Sequence, residues 1–578
     1  MPQMARAAVS RRSSGGGPTP AGDEVPVRRP PFELPRRPGN LVLLTLGVVV
    51  LASLGLHVWG IKGDLPYAPD VDEPIFVKAA VRLLQHRTLD PGWFGHPGST
   101  TIYPTAALIG LWYEVAAHIP PFAHAMPGLG KALVVDPTPY YLIGRLVSVI
   151  YGVGCVFATW LLARRIVGDV GGVLAAIVPV TTAIVVGYGQ LVRTDTAGMF
   201  FALIALWLAI RAMEDRRSRD WYLSAIAIGL AISTRYFYAS LVVPYCVAAW
   251  LWFRSRRDSP TALKGSRPAW AVPIVALLFA PATFLITSPY VLLDLHRVVA
   301  DLRFEARAVH PGADGLTPIG NLAWYVGQVI PATFDPLIVI LAIIGVVVIA
   351  RRDARATAVL MAFGISYLVV VSASPLHWDR YVIPLVPIIG ILVAAAAMAI
   401  GDGSARALGV WRARFGRGRP PTGSDTDLTG RHRRQAVSLA SAILVVLLVP
   451  SFLAVVTADR QRATPSTRVL ATDWIVGNLP PGSRIAEEMY TAYLDGTTYD
   501  VLQMFSLTDR SLDRYRADGY RYLVRSSSIA GRFSDATRYP TEYAFQQTLM
   551  ATGRLLASFE PGQDRAGPQI LIYDIAAS

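Results

Sequence analysis

Residues 144–187 read GRLVSVIYGVGCVFATWLLARRIVGDVGGVLAAIVPVTTAIVVG. Two apolar runs stand here, each about long enough to cross a bilayer as a helix. One interruption separates them, Arg164-Arg165 followed by Gly168-Asp169. Hydrocarbon solvates neither such charges nor an open turn, so the pattern is two spans joined by a short aqueous reversal. The rest of the chain repeats it. Of 578 residues, 53% are hydrophobic and 16% charged, where a soluble domain carries about 25% charged. A simple soluble enzyme, a coiled coil and a disordered chain are thereby excluded. Spans are expected at 41–58, 140–163, 171–189, 197–213, 221–235, 237–253, 270–288, 335–350, 356–373, 381–400 and 436–456. A further apolar run, 101–117, contains Pro104 and ends in Glu114 and His118, and it reads as an interfacial or re-entrant helix at the outer face.

Charge orients the chain. The loops 1–40, 164–169, 211–220, 254–268, 351–355 and 401–434 hold 29 of the 54 Lys and Arg residues, and the other loops before residue 457 hold 12. The positive-inside rule places the first set in the cytoplasm, which works with eleven spans provided that 101–117 does not cross. The net charge of +14 is then mostly topology, not a nucleic-acid footprint. Cys155 and Cys246 both lie in apolar runs, without CxxC, disulfide or zinc spacing. The expected class is a polytopic all-α membrane protein of about eleven transmembrane helices plus interfacial helices, with a small C-terminal α/β domain. Residues 1–40 form a disordered basic cytoplasmic arm. Residues 41–456 form the membrane domain, with 59–138 as its first outer loop. Residues 457–578 form a soluble extracytoplasmic domain, in which STRVLATDWIVGNLP reads as a helix and RIAEE, YRYLVRSS, RLLASFE and QILIYDI as strands.

The candidate chemistry falls on that outer side. Asp70, Asp72 and Glu73 place three carboxylates in four residues. Like charges so close raise one another's pKa and can poise a base near neutrality, although spacing alone favours a solvated loop or acids complementing a helix N-terminus. Trp93-Phe94-Gly95-His96-Pro97 through Tyr103 can stack on a sugar and hydrogen-bond a phosphate, or form an ordinary aromatic belt. Arg193-Thr194-Asp195 is a charged group beside the bilayer, either functional or a self-paired cap. Arg235-Tyr236 occupies the next outer turn. His377, Arg380 and Tyr381 follow in the short loop 374–380 and at its edge, where Arg380 and His377 can clamp a phosphate or snorkel at a span's start. The segment LLDLHRVVADLRFEARAVHPG reads as an interfacial helix near lipid headgroups.

At these residues the sequence resembles the GT-C membrane glycosyltransferases, and most of all glycosyltransferase family 39, which includes the protein O-mannosyltransferases and the aminoarabinose transferase of lipid A. The resemblance is carried by Asp72-Glu73 after the first span, GRLVSVIYGVGCVFATWLLARRIVG, VRTDT, HWDRYVIPLVP and DWIVGNLPPGSRIAEE. It implies a polyprenyl-phosphate-linked sugar donor, an extracytoplasmic acceptor (protein, glycan or lipid) and inversion at the anomeric carbon. It implies Asp72 as base, Glu73 beside it, Asp195 in support, and Arg193 and Arg380 as phosphate or site-shaping contacts. No metal is expected for the chemistry, whereas the oligosaccharyltransferase branch uses one. The aminoarabinose-type enzymes carry a lysine near His96, so the donor headgroup does not transfer. The rival readings are a transporter or flippase of lipid-linked sugars, which calls for mid-span charges and inverted repeats, and a membrane scaffold, which leaves Asp72 and Asp195 without a task.

Overall fold

The computed structural model describes residues 38–67, 70–118, 129, 131, 133, 136–215, 217–257, 271–415, 425–494 and 496–576. All but the end of the expected basic arm therefore lies outside the described residues. The membrane part is helical: α1 (Asn40–Val58), α2 (Glu73–His86), α3 (Ser99–His118), α4 (Thr138–Val180), α5 (Ala183–Gly189), α6 (Asp195–Asp215), α7 (Ser218–Thr234), α8 (Val242–Arg257), α9 (Ala271–Leu277), α10 (Phe279–Thr287), α11 (Leu295–Glu305), α12 (Pro336–Arg352), α13 (Ala354–Ser372), α14 (Val386–Phe415) and α15 (Asp425–Arg462). Among the described residues, seven helices are long and apolar enough to cross a membrane. An eighth is added if Pro318–Thr333 and Pro336–Arg352, bent by 115°, count as one span. α3 is continuous through Pro104 and falls outside that group.

Helix α4 has 43 residues, about twice what a bilayer needs, and it reverses at Gly168. That residue has φ 79° and ψ 174°, a backbone open essentially to glycine alone. After the turn Gly172 returns against Arg164, where a Cβ would meet the Arg164 backbone at 3.1 Å. The hairpin read from 144–187 is thus present. At its turn Arg165 pairs with Glu214 and Asp215, both at 2.6 Å. Arg145 lies twenty residues earlier, about 30 Å along the helix, and pairs at the other end of the bundle with Glu73. The turn at 164–169 and the residues 214–215 therefore lie at the opposite end from the start of α2. Between them, small residues let helices approach closely. Gly345 of α12 rests against the Leu392 carbonyl of α14, and the run Ala394–Ala397 is fully buried.

The C-terminal domain has α16 (Thr467–Asn478), α17 (Pro540–Thr552) and strands β1 (Arg484–Glu488), β2 (Asp500–Met504), β3 (Tyr522–Ser526), β4 (Arg554–Phe559) and β5 (Ile570–Asp574). The sheet order is β2-β1-β3-β5-β4, with β2, β1 and β3 parallel and β5 antiparallel to both its neighbours. Four strands and the helix coincide with the sequence reading. β2, DVLQM, was not anticipated, because its alternation is short and half-exposed.

Candidate active site

The first loop is anchored from below by a buried ion pair. Glu73 opens α2 and accepts from Arg145 Nε and Nη2, both at 2.8 Å, and from the Val192 amide at 2.9 Å. Arg145 also donates to the carbonyls of Ile61 (2.7 Å) and Gly63 (3.0 Å). A carboxylate and a guanidinium removed from water persist only when so fully bonded. The pair fixes α2, α4 and the turn before α6 together, and it sets the position of Asp72 next door.

Asp70 and Asp72 converge on Arg193. Arg193 donates Nη2 to both oxygens of Asp70 at 2.7 Å and places Nη1 2.7 Å from Asp72. Asp72 also faces Arg380, with Nη2 at 3.6 Å. Burial pushes the Asp72 carboxyl up, but Arg193 and Arg380 outweigh it and hold the pKa at about 2. Asp72 is thus lowered, not raised as its acidic neighbours suggested, because Arg193 and Arg380 stand beside it. Arg235 pairs with Asp195 at 2.6 Å and lies 5.0 Å over the Tyr381 ring. Arg380 stands 4.8 Å over Trp378, with its Nε buried and unpartnered among the described residues.

Asp72, Arg193, Arg235, Trp378, Arg380 and Tyr381 line one cavity of about 820 Å³, together with Trp93, His96, Tyr236, Glu305, Arg307, His310, Tyr490, Phe505 and Arg532. The 93–98 loop is shaped to fit. Phe94 N donates to Asp301 at 2.8 Å, Tyr236 Oη donates to the Phe94 carbonyl at 3.2 Å, and any Cβ on Gly95 would collide with the Trp93 ring. His96 rests edge-on to Trp93, 4.6 Å between ring centres. Burial and then Arg235 hold its pKa well below the usual value, so it enters the cavity neutral.

Of the candidate residues, Asp72, His96, Arg193, Arg235, Tyr236, Arg380 and Tyr381 line the cavity. Four do not. Glu73 is consumed by Arg145, and Asp195 stands behind Arg235. Tyr103 donates to the Leu89 carbonyl at 3.0 Å, and His377 turns edge-on to Trp324. Arg193 lines the cavity but is taken up by two carboxylates, which leaves Arg380 as the freer cation. Among the described residues no three His, Cys, Asp or Glu side chains stand together as metal ligands, since arginines occupy Asp70, Asp72 and Asp195.

Sequence reasoning passed over Glu305, Arg307 and His310 at the end of α11, and Tyr490, Phe505 and Arg532 of the C-terminal domain. The segment that holds the first three reads from the sequence as an interfacial helix near lipid headgroups. The helix does expose Leu295, Val299 and Leu302, but its C-terminal end turns into the cavity. Burial pushes the Glu305 carboxyl up against the pull of Arg307. The domain residues follow the carboxyl ends of β1, β2 and β3, the edge at which parallel sheets present ligand-binding loops. Glu488 gathers those loops, accepting from the Ser526 amide at 2.8 Å and the Leu507 amide at 3.2 Å.

No curated protein matches the chain. Among solved structures it is similar to ArnT from Cupriavidus metallidurans bound to undecaprenyl phosphate, at 12% identity over 92% of this chain and 98% of that one, TM-score 0.43. The Archaeoglobus fulgidus oligosaccharyltransferase in complex with Zn and sulfate is also similar, at 12% identity over 91% and 72%, TM-score 0.47. So is the arabinosyltransferase EmbB from Mycobacterium smegmatis, at 14% over 79% and 43%, TM-score 0.42. Residues 120–285 match the family model described as dolichyl-phosphate-mannose-protein mannosyltransferase, and on that segment the resemblance to the GT-C membrane glycosyltransferases read from the sequence stands.

Proposed function

We propose that the chain is an inverting glycosyltransferase that moves a sugar from a polyprenyl-phosphate donor to an acceptor hydroxyl at the extracytoplasmic face. The observation that carries this reading is an ionised carboxylate facing an incompletely paired guanidinium in one aromatic-walled cavity, Asp72 and Arg380 at 3.6 Å. The acceptor oxygen attacks the anomeric carbon as the carbon–oxygen bond to phosphate breaks. The hydroxyl proton passes to Asp72, and the polyprenyl phosphate leaves with its charge held by Arg380. An Asp72 pKa of about 2 makes a weak resting base. Donor phosphate drawing Arg380 away from Asp72 removes one of its cations and raises its basicity, so the base strengthens once donor is bound. Arg193 and Asp195 keep Asp72 and Arg235 in position. Fixed cations at one face suit a leaving phosphate, whereas a flippase requires charge along a crossing path.

The test is incubation of the purified protein with radiolabelled polyprenyl-phosphate sugars and cell-envelope fractions. Transfer of label to an acceptor is expected, blocked by Asp72→Asn. Movement of the labelled lipid across vesicles with no transfer overturns the reading in favour of translocation.

A further inference from the structure

The cavity holds a second cationic position that the transfer chemistry leaves unused. Arg307 Nη2 lies 3.1 Å from His310 Nδ1, and Arg532 Nη1 lies 3.1 Å from His310 Nε2. A neutral imidazole offers one acceptor nitrogen and carries hydrogen on the other. Both guanidiniums therefore cannot be satisfied by this ring, and one must face an N–H. Neither guanidinium forms an ion pair with a carboxylate among the described residues. Of the carboxylates beside them, Asp314 is taken by Arg538 at 2.8 Å and by the His310 amide at 3.0 Å, and Glu305 is drawn on by Arg307 without an ion pair and is pushed toward its neutral form by burial.

The arrangement is built in place. Arg532 Nε donates to the Ser528 carbonyl at 3.0 Å, and its stem packs on Gly312, where a Cβ would lie 3.1 Å away. Arg307 lies 4.5 Å over the Phe304 ring. His310 packs near Trp378 (5.3 Å) and Phe505 (5.7 Å), so Trp378 neighbours both Arg380 and this cluster. Two positive charges held apart around one ring, lining a cavity and in no ion pair with an acid among the described residues, are the complement of a tetrahedral oxyanion.

We infer that Arg307, His310 and Arg532 form a second anion subsite of the same cavity, taking a phosphate group that is either the second phosphate of a diphosphate-linked donor or a phosphate carried by the acceptor. The inference rests on the cavity being a polyprenyl-phosphate site. It also gives the C-terminal domain a task, since Arg532 is that domain's contribution and the subsite is incomplete without it.

Binding to the purified full chain in detergent decides it, with polyprenyl monophosphate, polyprenyl diphosphate of equal length, and inorganic phosphate added to monophosphate-saturated protein. If the donor supplies the group, the diphosphate binds about tenfold or more tightly than the monophosphate, and Arg307→Gln and Arg532→Gln each erase that advantage. If the acceptor supplies it, the two lipids bind alike. Inorganic phosphate then saturates the loaded protein, and the same variants weaken it about tenfold. Arg532→Lys retains part of either effect, and melting temperature verifies that each variant is folded. Equal lipid affinities with no saturable phosphate binding overturn the subsite while the wider reading survives. Failure of the monophosphate to bind at all overturns both.

Discussion

Glu73→Gln separates chemistry from architecture. Glu73 and Arg145 are essentially without solvent contact, at 0% and 2% side-chain exposure. The glutamine keeps one acceptor oxygen but turns an NH₂ toward the guanidinium, and it leaves Arg145 with no counter-charge. Breaking a buried pair by removing one partner costs about 3–5 kcal/mol. The two carbonyls that Arg145 also holds put this case toward the lower end. Thermal unfolding in detergent should show a fall of several degrees for Glu73→Gln, with transfer per folded molecule reduced but measurable. Glu73→Met combined with Arg145→Leu, which removes both charges, should recover most of the stability, because neither ion then stays buried alone. Unchanged melting with transfer abolished by Glu73→Gln would refute this reasoning and return Glu73 to the chemistry.

Asp72→Asn should lower kcat by about 10² to 10⁴ while polyprenyl-phosphate binding persists; near-normal transfer moves the base elsewhere. Arg380→Lys should keep partial activity and Arg380→Ala almost none with expression unchanged, whereas lower yield but normal activity per folded molecule removes Arg380 from the site. In the C-terminal domain, burial pushes the Glu487 carboxyl up to about 8, although Thr491 and Gln503 donate to it. A folded-state value raised above the ordinary 4.5 contributes stability that is full below pH 4.5 and lost as pH rises through 8. Glu487→Gln should therefore flatten the fall in the melting temperature between pH 4.5 and 8, and an unchanged profile counts against it. A reporter fused after residue 410 should read cytoplasmic and one after 470 extracytoplasmic; a cytoplasmic C-terminal reporter inverts the placement of the cavity.

Periodicity and charge were enough for the helical membrane class, for the reversal at 164–169 and for four of five C-terminal strands. Each depends on local solvation: a run of apolar residues must leave water, and a charged or glycine-broken turn must meet it. The same physics singled out Asp72, His96, Arg193, Arg235, Tyr236, Arg380 and Tyr381, because polar groups beside the bilayer stand out against a hydrophobic background. Partnership was invisible. Asp72 and Glu73 are adjacent, yet one lines the cavity and the other is locked beneath it, since Arg145 is distant in sequence and near only after α2 and α4 pack. Asp195 and Arg193 look like a pair by spacing, but each finds its partner elsewhere, in Arg235 and in Asp70 and Asp72. Arg307 and Arg532, 225 positions apart, meet at one imidazole only because the loop after α11 and the loop after β3 are brought to the same cavity wall. Solvent preference is a property each segment carries alone, and the sequence determined what followed from it. Which charge neutralises which is a distance, and distances between remote residues exist only in the folded chain.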